Sequence, residues 1–178
     1  MIHTSRQMEE QAILETAALM CAAARTAPKA RGIDNILTLV LTGLEKDALA
    51  AKMDEVAQRE FKGSGPFPRD AKNVRTAQAV VLIGVKRVSC QLPYCSLCGF
   101  TSCKDCEQAG ARCIFNGIDL GIAVCSAAAV AADNRVDNRI MYTIGKAAEE
   151  MCYSEEKTVV WHGIPISVSG KSIFFDRS

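Results

Sequence analysis

Alanine, leucine, methionine and glutamate dominate the chain from Arg6 to Ala24, and the segment halts at Thr26-Ala27-Pro28. All four are good helix formers, and proline disfavours a helical residue before it, so a first helix is predicted. After the polar stretch Lys29 to Asn35, Ile36-Leu37-Thr38-Leu39-Val40-Leu41 is short, β-rich and closed by Gly43, the pattern of a buried strand. Leu49, Met53, Val56 and Ala57 recur at helical spacing between Leu44 and Phe61. Gly63-Ser64-Gly65-Pro66-Phe67-Pro68 reads as loop, and the apolar run Ala77 to Val85 as a strand covered on both faces. The small apolar residues from Gly121 to Ala132 predict a buried helix. Ile140, Ile144, Ala147, Ala148 and Met151 predict one face of another, with Asp137 or Asn138 as its N-cap. A last strand around Thr158 to Trp161 leads into Gly163-Ile164-Pro165, and Ser167 to Asp176 is expected as an extended tail broken at Gly170. Alternating strands and helices predict an α/β or α+β arrangement of three layers, helices covering a central sheet, in one domain spanning residues 1–178.

Charge narrows the function classes. The 21 basic residues are scattered among 20 acidic ones, which leaves no block of positive charge for a phosphate backbone and argues against a nucleic-acid partner. Arg6, Glu9, Glu10 and Glu15 break any apolar leader, and the longest apolar run, Ile122 to Ala132, is too short to span a bilayer, so no membrane association is expected. These features point to the cytoplasm. Neither a Gly-x-Ser-x-Gly nor a His-Glu-x-x-His pattern is present, and Ser167-Val168-Ser169-Gly170-Lys171 lacks the rest of a phosphate-binding loop, so a hydrolase finds little support.

Nine cysteines, an odd number, do not suit a fully paired disulfide framework. Cys21, Cys125 and Cys152 stand alone in apolar surroundings and are expected in the core, whereas Cys90, Cys95, Cys98, Cys103, Cys106 and Cys113 crowd one stretch. The two-residue gap of Cys95-Ser96-Leu97-Cys98 lets consecutive thiolates turn toward one centre, and Gly99 permits the bend that wrapping requires. Two quartets are open. Cys95, Cys98, Cys103 and Cys106 would make a compact zinc site, although the four-residue gap between the pairs is shorter than in zinc ribbons. Cys95, Cys98, Cys103 and Cys113, with gaps of two, four and nine, suit a cube-shaped 4Fe–4S cluster. A helix over Cys103 to Gln108 would put Cys106 one turn beyond Cys103, where it need not point inward. Cys90 reads as a strand-end core residue. Lys86, Arg87, Lys104 and Arg112 could offset cluster charge, and neither His3 nor His162 has a partner at ligand spacing.

The stretches Cys95 to Cys103, Ile118-Asp119-Leu120-Gly121-Ile122-Ala123, Asp137 to Gly145 and Gly163 to Lys171 resemble a family of uncharacterised bacterial and archaeal proteins that contain a ferredoxin domain. The resemblance implies cluster ligands at Cys95, Cys98, Cys103 and Cys113, with Cys106 outside the pattern, and brings no established reaction. Ala27-Pro28 after the first helix, the Asp119-to-Ala123 helix start and Gly163-Ile164-Pro165 also resemble the nitroreductase fold. That likeness implies a sheet covered by helices with an inserted cysteine-rich loop at 90–113, a homodimer, and FMN held between subunits. The arginine–serine cluster that grips the flavin phosphate in that fold is missing, with His3-Thr4-Ser5-Arg6 in its place, which leaves Arg25, Lys29, Arg31 and Lys171 as the candidate phosphate contacts. Two functions follow from the sequence. One is an iron–sulfur redox protein relaying electrons to an unknown partner or a flavin; the other is a zinc-stabilised binding protein without catalysis.

Overall fold

The structure, a computed structural model, describes residues 1–155 and 159–175; Thr158 and Asp176, expected at the ends of the last strand and tail, lie outside the described residues. The first helix, α1 (Ser5–Thr26), starts at a capping box: Thr4 accepts the Gln7 amide at 3.3 Å, and the Gln7 side chain accepts the Thr4 amide at 3.0 Å. A short 3₁₀ turn (Ala30–Gly32) leads into β1 (Ile36–Leu41), followed by α2 (Gly43–Phe61), α3 (Pro66–Thr76) and β2 (Ala79–Lys86). Past the cysteine loop and its helix α4 (Cys103–Gln108) come α5 (Ile114–Asp133), β3 (Asp137–Asn138), α6 (Tyr142–Met151) and β4 (Val159–Ser167).

The strands form one antiparallel sheet in the order β1-β2-β4-β3. Successive side chains of a strand point to opposite faces, so the unbroken apolar run of β2 feeds two cores. Val80 and Leu82 join residues of α2, α3 and α6 on one face, and Ala79, Val81, Ile83 and Val85 join α1 and α5 on the other. This is the expected α+β three-layer arrangement. The α6 layer sits directly on the β4 backbone: a Cβ on Gly145 would stand 1.8 Å from the Trp161 carbonyl oxygen, and one on Gly163 2.1 Å from Ile144.

Several sequence expectations are corrected. Pro66 to Pro68 begin α3 rather than a loop, because proline suits the first turn of a helix, and Phe67, Ala71 and Val74 are its buried face. Asp137 and Asn138 form β3, paired with Ser167 and Ile166, while Met141 is the N-cap of α6 and Ile140 lies exposed before it. Gly163 to Pro165 lie inside β4, opposite Leu82 to Val80. Cys125 and Cys152 are exposed and Cys21 is half-buried. The helix expected from Gly121 begins at Ile114, and its 20 residues are long and apolar enough to cross a membrane by length and composition alone, with 39% of its most apolar 18-residue window buried against the rest of the fold.

Candidate metal centre

Ile36 pairs with Val85 and Ala79 with Ile166, so the cysteine loop and the α1–β1 connection share one end of the sheet. Hydrogen bonds fix the loop to this end. The Asn116 amide donates to the Val88 carbonyl at 2.9 Å, Arg31 to the Cys90 carbonyl at 2.9 Å and Arg87 to the Gly110 carbonyl at 3.1 Å. The buried Asp119 carboxylate accepts the Ala30 amide at 3.0 Å and so ties the Arg31 turn to α5. Its place is inside α5, well past the helix start. Gln91, Tyr94 and Ser96 have φ of 50°, 55° and 47°, and Gly99 has φ of 85°; these left-handed residues curl the segment around.

Each candidate ligand is placed by a local signal. Ser102 caps α4, accepting the Asp105 amide at 3.2 Å, which sets Cys103 on the first turn; Cys113 is the N-cap residue of α5. Cys95, Cys98, Cys103 and Cys113 all line one cavity of about 360 Å³, together with Cys90 and the aromatic Tyr94, Phe100 and Phe115. Cys106 does not line it. It is buried nonetheless, beside Cys98 and in the field of Cys103 and Cys113, but outside that cavity. Burial first, and then these neighbouring sulfurs, raise its pKa. Cys90, also buried, shares the cavity wall with Cys113; desolvation and then the nearby Cys113 thiol push its pKa up to about 11. Among the described residues, no three His, Cys, Asp or Glu side chains are grouped to hold a metal ion.

The four cations expected at a phosphate do not converge. Arg25 pairs with Asp34 at 2.6 Å and donates to the Ile36 carbonyl at 2.9 Å; Lys29 is turned onto the Arg25 and Ala27 carbonyls; Arg31 holds Cys90. Lys171 follows β4 at the opposite end of the sheet, because Ile166 pairs with the first residue of β2 and Ile36 with one near its last. There it lines a second cavity of about 290 Å³ with Arg69, Lys72, Asn73, Thr76 and Ser172. Arg69 is paired with Asp70 at 2.8 Å, and the buried Ser172 hydroxyl has no hydrogen-bond partner. An anionic group would suit this donor set. Lys72 and Ser172 carry no sequence signal of their own; only the Ser-Gly-Lys stretch nearby hinted at them.

Fold and site together define a nitroreductase-fold protein with a thiol-lined centre. A nitroreductase family protein from Clostridium novyi superposes with a TM-score of 0.58 at 12% identity, over 89% of this chain and 77% of that one. A nitroreductase with bound FMN from Desulfitobacterium hafniense gives 0.55 at 14%, over 88% and 78%. The family model described as "Uncharacterized protein containing a ferredoxin domain (DUF2148)" matches residues 109–177. An "Uncharacterized protein" of Archaeoglobus fulgidus is 39% identical over 186 residues, 100% of this chain and 98% of its own. The chain belongs to this ferredoxin-domain family.

Proposed function

We propose that Cys95, Cys98, Cys103 and Cys113 hold a 4Fe–4S centre and that the protein is a redox carrier. The observation that carries this reading is that these four thiols share the wall of one cavity at the sheet end, with Cys90 beside them and Cys106 outside it. Such a centre, when bound, supplies reversible one-electron storage. The chain's own part is to donate thiolates, to keep water back with Phe100 and Phe115, and to place Lys104 in the wall, where positive charge offsets that of the thiolates. Zinc is the rival. It would draw four sulfurs to about 2.3 Å from a single point, whereas a cluster spreads its four ligands over separate irons. Nine unpaired cysteines suit a reducing compartment, which supports the cytoplasm as the location. The test is reduction of anaerobically reconstituted protein by dithionite: the absorbance near ~400 nm should bleach and return with about one electron per chain. An absorbance that does not respond to reductant would remove the carrier role.

A second reading, a flavin-linked reductase, is favoured by the shared fold of the FMN-containing neighbour and by the Lys171 cavity, whose cations and unpartnered Ser172 hydroxyl suit a phosphate. It moves the phosphate away from Arg25, Lys29 and Arg31. Titration with FMN should quench flavin fluorescence, and Lys72→Ala should weaken binding about tenfold, the loss of one charge-assisted contact. Unquenched flavin would dismiss this reading and leave the cluster untouched.

A further inference from the structure

Helix α5 buries two polar side chains, Asn116 and Asp119, each 4% exposed. A buried polar group costs free energy unless it is hydrogen-bonded, so its partner shows what the position holds. Asn116 holds Val88 directly. Asp119 accepts the Ala30 amide at 3.0 Å, and the next residue, Arg31, donates to the Cys90 carbonyl at 2.9 Å. These last two bonds run in series from α5, whose N-cap is Cys113, to the segment that carries Cys95, Cys98 and Cys103. Residues 87–102 contain neither helix nor strand, so such ties decide where that segment lies. Arg31 stands at φ 58°, in the left-handed region that favours glycine. A strained residue persists where its surroundings over-determine it, and here the arginine side chain is itself the link to Cys90.

We propose that Arg31 and Asp119 are positioning residues for the metal centre, acting in series as a strut that holds Cys95, Cys98 and Cys103 beside Cys113 before any metal arrives. That these thiols are ligands rests on the cluster reading; the strut itself stands on two hydrogen bonds. The Arg31 guanidinium makes its bond to the carbonyl a charge-assisted one. Thiols already in place lose less conformational freedom when a metal binds, so the loaded centre releases it more slowly. Because the two bonds are in series, losing either one frees the loop, and losing the second adds nothing.

The experiment uses the full chain in two states. In the reduced, metal-free state, the rate at which iodoacetamide alkylates Cys90, only 7% exposed, reports how often the loop leaves the sheet end. Cys90 shares the tryptic peptide 88–104 with Cys95, Cys98 and Cys103, and fragmentation tells the four apart. Arg31 is exposed, so Arg31→Met should keep the circular dichroism of the wild type. It should raise the Cys90 rate about tenfold, the loss of one charge-assisted hydrogen bond. Asp119→Leu should raise it equally and the double variant no further. Asp119→Asn, whose amide oxygen still accepts the Ala30 N–H, should keep the wild-type rate. If Asp119→Leu loses its circular dichroism, Arg31→Met and Asp119→Asn decide the matter. In the iron-loaded state, a chelator should strip Arg31→Met about tenfold faster than the wild type. A Cys90 rate indifferent to Arg31, additive effects in the double variant, or equal stripping rates would overturn the positioning role. Iron uptake separates the two ideas. A Cys90 rate that follows Arg31 in a chain that takes up no iron upholds the strut and rejects the cluster, and iron uptake with an indifferent Cys90 rate rejects the strut alone.

Discussion

Cys106 and Cys113 differ in where they sit: Cys113 lines the cavity shared with Cys95, Cys98 and Cys103, and Cys106 does not. Cys113→Ser should therefore lower bound iron from about four toward three per chain, or abolish it. Cys106→Ser should keep the spectrum and cost about 1 kcal/mol of stability for a buried hydroxyl, read by chemical denaturation. Cys106 essential and Cys113 dispensable would invert the assignment. The 95-to-103 spacing could be read directly from the sequence because those residues share one loop. That Cys90 and Cys113 share a cavity wall could not, because they come together only once Arg31 and Asn116 draw the loop ends onto the sheet. His162 tells a similar story at the other extreme: its burial lowers its pKa, and its Nδ1 has no partner. The unfolded chain, with an ordinary value of 6.5, takes up the proton first as pH falls, so stability should drop below about pH 6.5. Urea midpoints measured at about pH 7.5 and 5.5 should diverge in the wild type and less so in His162→Gln; equal slopes in the two proteins would show that His162 does not contribute.

Among the elements, α6 and β4 meet without a side chain between them at Gly145. Gly145→Ala must drive a methyl into the Trp161 carbonyl and should destabilise the fold by about 2–4 kcal/mol. Gly117→Ala, in α5 with nothing near its Cβ position, should be neutral or stabilise by about 0.5–1 kcal/mol. Thermal unfolding of the two variants checks the pair, and an undisturbed Gly145→Ala would mean that the α6–β4 contact is looser than described. Helix-forming composition made α1 readable from sequence, helical spacing α2, and short apolar runs β1 and β2. The start of α3 was hidden because Pro66 and Pro68 look like loop residues out of context, although a helix accepts proline in its first turn. For β3, two residues carry too little pattern, and its pairing with Ser167 and Ile166 is a long-range contact that no local rule reports.

At the scale of the whole molecule, the three layers put the cysteine centre and the Lys171 cavity at opposite ends of the sheet, a separation the alternation of elements predicted only as architecture. The α1–α5 layer leaves Leu14, Leu19, Ile114, Ile118 and Ile122 exposed at 37–54%. We propose that a second copy covers them in a homodimer, as such apolar surface on a folded protein marks an interface. Ile118→Lys combined with Ile122→Lys should convert the dimer to a monomer in light scattering with unchanged circular dichroism; a monomeric wild type at micromolar concentration would contradict this. Metal and sulfide analysis of protein reconstituted without oxygen decides whether Cys95, Cys98, Cys103 and Cys113 hold an iron–sulfur centre. About four irons and four acid-labile sulfides per chain are expected; one equivalent of zinc that excludes iron under the same reducing conditions would rule the centre out.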